Sequence, residues 1–454
     1  MRTYLPIPLV VSILFVGAAF CAAETIDTFI MEESPLWISG LHVGPEGDIW
    51  FTQTRPARLM RVSDNGIECV YDSGTIPWEY DITITPDGVI WLGPFRYIYS
   101  ADARLYESDI ELPEETQWFG LSGPGIVDAD CRMFVTGIGG SILDPTYRSC
   151  QIFEVGPGIA PDLRYGQYYG GLDSILVVSA RECWACGTWK GGGSGLCRIN
   201  LEAGTLDGWY SGLNGGPSAK DSRGLLWLIL GPSVETFDGS SLSVFAEGDE
   251  EGLWYQEPVL AADGAVWSVE ADDDWSHATT YFGIARFMDG QKRTFTVDDG
   301  LLSNWCESPV IDYDGRLWVV NWGIASPYRV GLSRISDGGW PPMRLMLHRL
   351  ETPEGAIAVE AQVINNGPVV GVDVYVALEM NGQLLFWPNW QPAPSPVQVN
   401  LRPGHNQTAT IISAPRSSIP PGTYTFWGCM TGRNTQKLIG PLDRKFESLT
   451  IQID

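Results

Sequence analysis

Histidine is nearly missing from this 454-residue chain, which holds only His42, His277, His348 and His405. They are too scattered to make a histidine metal centre. No P-loop, nucleophile elbow or paired acid–base spacing occurs either, so no motif points to phosphoryl or acyl transfer. Positive charge is scarce as well: 28 Lys+Arg stand against 55 Asp+Glu, a net charge of -27. Phosphate binding needs a basic footprint, so a nucleic-acid partner is excluded, and adsorption to an anionic membrane is disfavoured. Long apolar runs are also lacking beyond the first residues. The single run, Leu5 to Phe20, contains Pro6 and Pro8 and falls short of the roughly 20 apolar residues a spanning helix needs.

That run follows Arg2 and ends in Cys21-Ala22-Ala23 before the acidic Glu24, the pattern of a secretory signal peptide over residues 1–23 cleaved near Ala23. Lipidation at Cys21 is disfavoured by the bulky Phe20 before it. The expected location is therefore periplasmic or extracellular, with no membrane span and a monomeric state. Eight of the nine cysteines lie beyond Cys21, and an even number in an oxidising compartment predicts disulfides. Local bridges are expected among Cys131, Cys150, Cys183, Cys186 and Cys197.

The chain is rich in turn formers and aromatics, with Gly 52, Pro 31 and Trp 19, which suggests an all-β protein. Read against itself, it repeats one phrase seven times: a polar turn, a small apolar pair and an aromatic, then β-formers. Copies include GPEGDIWFTQ at 44–53, TPDGVIWLG at 85–93, AADGAVWSVE at 261–270 and DYDGRLWVVN at 312–321. The aromatics are Trp50, Trp91, Phe134, Trp184, Trp227, Trp267 and Trp318, spaced 41, 43, 50, 43, 40 and 51 residues apart. One four-stranded blade fits each interval. The predicted fold is an all-β, seven-bladed β-propeller over residues 24–340, each aromatic packing between neighbouring blades. The seventh copy lacks a last strand, whereas TIDTFIMEE at 25–33 matches TFTVDDG at 294–300. Thr25 to Met31 is therefore predicted to pair into the last blade and close the ring.

Beyond Trp340 the phrase disappears. Ile357, Val359, Ala361 and Val363 alternate with period two, as do Val372, Val374, Val376 and Leu378. About seven short strands separated by Pro/Gly turns predict an immunoglobulin-like β-sandwich over residues 341–454.

The phrases carry a resemblance. TFTVDDGLLSNWCESPVIDYDGRLWVVNWG at 294–323 resembles the repeat of two-component-regulator propellers, and LHVGPEGDIWFTQTRPARLMRV at 41–62 is similar to the streptogramin lyase repeat, also seven-bladed. The first resemblance implies ligand sensing, although no catalytic module follows the propeller. The second implies a histidine from one blade with an acidic metal ligand and another histidine two residues after it. Glu270 stands where that family has its acid, but the position two beyond is Asp272, and His277 lies five residues further. The lyase base is missing.

Four tryptophan pairs sit thirteen residues apart: Trp37 with Trp50, Trp78 with Trp91, Trp254 with Trp267 and Trp305 with Trp318. The first member of each is placed in the loop joining successive blades, and Trp118 and Tyr169 hold similar places. These side chains either line an aromatic mouth for a small molecule, glycan or protein partner, or plug gaps between blades. EADDDWSH at 270–277 gathers Glu270, Asp272, Asp273 and Asp274. The loop is either a Ca2+ site or a solvated acidic turn, because it lacks the spacing of a calcium loop. Cys183, Cys186 and Cys197 are one ligand short of a structural zinc site, and Asp87, Asp263 and Asp314 read as turn formers. The leading reading is non-catalytic recognition through the propeller funnel. A metal-assisted lyase or hydrolase is the alternative, and a structural surface protein the third.

Overall fold

The computed structural model describes residues 25–453, apart from 32–36, 39, 55–56, 65, 73–81, 93–95, 100–104, 108–125, 128–131, 140–148, 157–158, 168–171, 190–192, 214–215, 231–232, 248–252, 273–280, 325–328, 337–338, 352–354, 381 and 443. Residues 1–24, with the expected signal peptide, lie outside them. Up to Ser336 the described chain forms seven sheets, each of four main antiparallel strands. The inner strands are His42–Val43 with Trp37–Ile38, then Ile82–Ile84, Ile126–Val127, Leu172–Ser179, Gly216–Lys220, Leu253–Leu260 and Cys306–Ile311. Among the described residues there is no α-helix.

The repeated phrase folds as one hairpin turn. In the second copy, Thr85 N–H donates to Val89 O at 2.9 Å and Gly88 N–H to Thr85 O at 2.8 Å. Gly88 has φ 85°, a left-handed conformation that costs an L side chain energy. The same pair of bonds recurs at 44–48, 221–225, 261–265 and 312–316. Each turn delivers the following aromatic to the second strand. Trp50, Trp91, Trp184, Trp227, Trp267 and Trp318 are all buried to 5% exposure or less. Trp50 packs on Ile82, Ile90 and Leu92 of the next sheet, and Trp184 on Leu226, Leu228 and Phe237 of its own next sheet. Trp267 likewise meets Val319 and Ile335, and Trp318 meets Ile49, Phe51 and Val62. The expected packing between neighbours is therefore present, and it runs from the seventh sheet back onto the first.

A partner of these tryptophans is an arginine on the third strand. Arg61, Arg198, Arg286 and Arg334 lie opposite Trp50, Trp184, Trp267 and Trp318 in register. Their guanidiniums stand 5.4, 5.8, 5.4 and 5.2 Å from the ring centroids, within cation–π range.

The ring closes as the sequence predicts. Thr25–Ile30 pairs antiparallel with Arg329–Ser336, from Thr25 opposite Ser336 to Ile30 opposite Gly331. Phe29 stacks on Trp318 at 5.3 Å, and Arg334 Nη2 reaches Asp27 Oδ2 at 2.6 Å.

The disulfide expectation does not hold among the described cysteines. Cys69, Cys183, Cys186, Cys197, Cys306 and Cys429 form no disulfide with one another. Cys183 and Cys186 sit on the single strand Glu182–Trp189, where an odd separation sends their side chains to opposite faces of the sheet. Cys131 and the side chain of Cys150 lie outside the described residues.

Beyond Trp340 come two sheets. Met343–Glu351, Ala356–Asn365 and His405–Pro415 form one; Val370–Met380 and Gly422–Gly432 carry the other, with four shorter partners. Among the described residues nine strands thus stand where roughly seven were expected. Val359 and Val363 of the first sheet share one core with Val372, Val376 and Phe426 of the second.

This two-sheet unit is clamped to one face of the ring, the face bearing the hairpin turns. Tyr313, from the seventh turn, is buried in its core, and Tyr313 O accepts from Gly440 N–H at 2.9 Å. Asn366 donates from its amide to Ala261 O at 2.9 Å and accepts from Ser222 N–H at 2.7 Å. A Cβ on Gly371 would collide with Pro86 O, so the backbones meet at a distance only glycine permits. Asp314 lies within the seventh hairpin turn, as expected, and is also the charged anchor. It is 6% exposed and binds Lys437 Nζ at 2.8 Å, Lys445 Nζ and, at 2.7 Å, Arg316 Nη2. Burial opposes its charge, but the hydrogen bonds from Lys437 and Lys445 outweigh that and hold its carboxyl below the usual range.

Deleting residues 25–30 should leave Arg329–Ser336 as an open edge and strip Trp318 of its cover. Calorimetry is expected to show loss of the cooperative transition, and an unchanged melt would disprove closure. Asp314→Ala takes the carboxylate from Lys437 and Lys445, while Arg316 keeps Asp312 and Asp64; by analogy with broken buried pairs the loss costs about 3–5 kcal/mol. Limited proteolysis should then release the C-terminal unit from the ring; equal resistance in variant and parent would show that the anchor is dispensable.

Candidate functional site

The inner strands surround the axis of the ring, and their apolar residues at the hairpin-turn end face a cavity of about 220 Å³. Among the described residues the wall draws on six inner strands, through residues such as Val43, Ile84, Leu176, Ala219 and Val310. The C-terminal unit supplies the rest, with Pro342, Met343 and the segment 366–370. Polar wall groups are few. Ser218 Oγ donates to Trp227 O at 3.1 Å, and Asn366 is engaged in the clamp.

Beside this wall lies Asp48, whose neighbour Gly47 packs on the Tyr313 ring. The Asp48 side chain is 9% exposed and its Oδ2 is 3.7 Å from Arg61 Nε. Burial pushes its carboxyl up to about 6, against the opposing pull of the Trp50 indole and Arg61. Burial, helped by the nearby Asp48 charge, also raises the Tyr313 phenol.

The opposite end of the axis carries Trp305 and Trp254, two of the residues singled out from sequence. Trp305, just before the strand Cys306–Ile311, is 38% exposed; its Nε1 donates to Glu307 Oε1 at 2.9 Å. Its ring lies 6.2 Å from that of Trp322, which the sequence reading overlooked although it stands four residues after the blade aromatic. Trp254 is half-buried within the strand Leu253–Leu260, opposite Ala271, and Trp37 pairs with Thr54. Both belong to inner strands, not to the loops where the sequence placed them, because strand pairing starts earlier than the turn signals indicate. Trp78, Trp118 and Tyr169 lie outside the described residues.

Of the acidic set, Glu270 is 2% exposed, with Lys292 Nζ at 2.7 Å from Oε1 and Thr294 Oγ1 donating to Oε2 at 2.7 Å. A cation there would have to displace Lys292. Asp272 is paired with Leu253 at the end of its strand, while Asp273, Asp274 and His277 lie outside the described residues. Among the described residues no group of three metal-ligating side chains gathers. His42 lies one residue before the first turn's strand ends, on the cavity wall. Glu270 is near the far end of its own strand, opposite Tyr255, so the two do not converge. A carboxylate that no sequence signal marked is Glu257, which has φ 50° at a strand irregularity and accepts from Ser308 N–H, φ 52°, at 2.6 Å. Bulges of this kind bend the strand and re-aim its side chains.

No protein-family model and no curated protein sequence matches the chain. Among solved structures it is similar to streptogramin B lyase, at 13% identity and a TM-score of 0.48, over 69% of this chain and 98% of that one. It is also similar to the extracellular domain of a putative hybrid two-component system from B. thetaiotaomicron, at 12% identity and 0.47, over 95% and 59% of the two chains. A mycobacterium tuberculosis puromycin-hydrolyzing peptidase follows at 14% and 0.44, over 72% and 58%. All three scores are too low to carry an argument, so the architecture rests on the chain's own strand pairing.

Asp48 gives the site a pH signature. Its folded value of about 6 exceeds the ordinary 3.8, so the folded state keeps a proton that the unfolded state releases between those values. Stability from this group is therefore full below pH 4 and falls as pH rises to 6, by up to about 3 kcal/mol. Asp48→Asn should melt like the parent at pH 4 and higher than the parent at pH 7 in calorimetric scans. A lower melting point at pH 7 would show that the charge is favourable.

Proposed function

We propose that the chain is a non-catalytic recognition protein acting outside the cytoplasm. In this reading residues 24–340 are a seven-bladed β-propeller whose mouth binds a small molecule, glycan or protein, and residues 341–454 are an immunoglobulin-like sandwich. The observation that carries the reading is the one-sided clamp: the C-terminal unit occupies the hairpin-turn face of the ring through Tyr313, Asp314 and Asn366. The opposite face is left for a partner, and there Trp305 offers an exposed ring beside Trp322. Aromatic side chains of this kind bury large area at little entropic cost and anchor many binding surfaces. The acid best placed for metal chemistry, Glu270, already has Lys292 and Thr294 as partners, which favours binding over the lyase or hydrolase alternative.

Glycan and peptide arrays probed with the purified protein should yield a ligand that changes tryptophan fluorescence. Trp254→Ala with Trp305→Ala is expected to weaken that ligand at least tenfold, with little change in melting temperature. Undiminished affinity would place binding elsewhere. Turnover of the ligand, abolished by Glu270→Gln, would establish the enzymatic alternative instead.

A further inference from the structure

We infer that the cavity between the ring and the C-terminal unit is a second binding site, specific for a compact, uncharged, apolar molecule. The chemistry of the wall carries this. The ring is strongly acidic, with 19 Lys+Arg against 47 Asp+Glu in residues 24–340. Yet among the described residues lining the cavity none is Asp, Glu, Lys or Arg; His42 and Tyr313 are the titratable members. A charged ligand would lose its hydration there with no partner in exchange, which is prohibitively costly. The amide of Asn366 and the hydroxyl of Ser218 are engaged with protein groups, so what the wall presents is chiefly aliphatic surface. Leu176, Val259, Ile311 and Met343 are typical of it.

Size narrows the ligand further. A cavity of about 150 Å³ with such a lining accommodates benzene. The 220 Å³ here suits one ring or two small fused rings. The walls come from two units, Ala219 and Val43 from the ring and Val369 and Val370 from the sandwich. A molecule held between them binds only the docked arrangement, and so stabilises it by mass action. The site lies at the opposite end of the axis from Trp254 and Trp305, and its ligand is distinct from that of the mouth.

The test uses the full chain with indole as the neutral probe and indole-3-acetate as its charged counterpart. Calorimetric titration should show saturable binding of indole, affinity for indole-3-acetate at least tenfold weaker, and a rise in melting temperature with indole. Ala219→Phe fills the cavity from the ring side and Val369→Trp from the sandwich side. Either variant, if folded by circular dichroism, should lose indole binding at least tenfold, whereas the Trp254→Ala, Trp305→Ala double variant should bind indole as the parent does. Absence of indole binding, equal affinity for the charged probe, or unchanged binding in both filled variants would overturn the assignment. None of these outcomes bears on recognition at the mouth, which is read separately by the array ligand.

Discussion

The buried tryptophan at the second strand of six of the seven repeats is the contact on which the rest of the structure depends. A four-stranded antiparallel sheet has two apolar faces and cannot bury either alone. Trp50, Trp184, Trp267 and Trp318 supply the bulk that bonds each sheet to its successor, and an arginine from the neighbouring strand covers each ring. Such units stabilise one another only in series, so the series has to end on itself or leave a face open. Trp318 lies against Ile49, Phe51 and Val62 of the first sheet and under Phe29 of the closing strand, so one residue serves both the packing and the hydrogen-bonded closure.

Closure of the ring makes the second feature usable. With the repeats fixed, five hairpin turns among the described residues are presented on one face, and the C-terminal unit reads them through backbone and charge. Residues 341–454 hold eight Lys+Arg and eight Asp+Glu, so the unit carries no net charge towards the acidic ring. Its Lys437 and Lys445 are spent on Asp314. Net attraction is not what holds the two together. The fit is local, with Tyr313 inserted as an apolar plug and the charged contacts beside it fixing orientation.

Much of this was legible in the residues. The turn phrase names the hairpin, the aromatic names the packing site, and TIDTFIMEE announces the closing strand because it repeats an outer-strand pattern at the wrong end of the chain. The partner arginines were not legible. They follow their tryptophans by 11, 14, 19 and 16 residues, because hairpin lengths differ between repeats, so no fixed spacing marks them. Cys183 and Cys186 misled for a related reason: a short spacing suggests a bridge only if the backbone turns, and here it runs straight as a strand. Asp314 looked like every other turn acid, since nothing local tells that two lysines more than a hundred residues away will meet it.

By itself, then, the sequence determined the repeating hairpin unit and the strand that closes the last described sheet of the ring, since the first depends on contacts within about fifty residues and the second on one matching pattern. Only the tertiary structure decided which face of the ring is covered and where the axis keeps an uncharged cavity. Those depend on surfaces assembled from several repeats at once, and no single stretch of chain contains enough of such a surface to signal it.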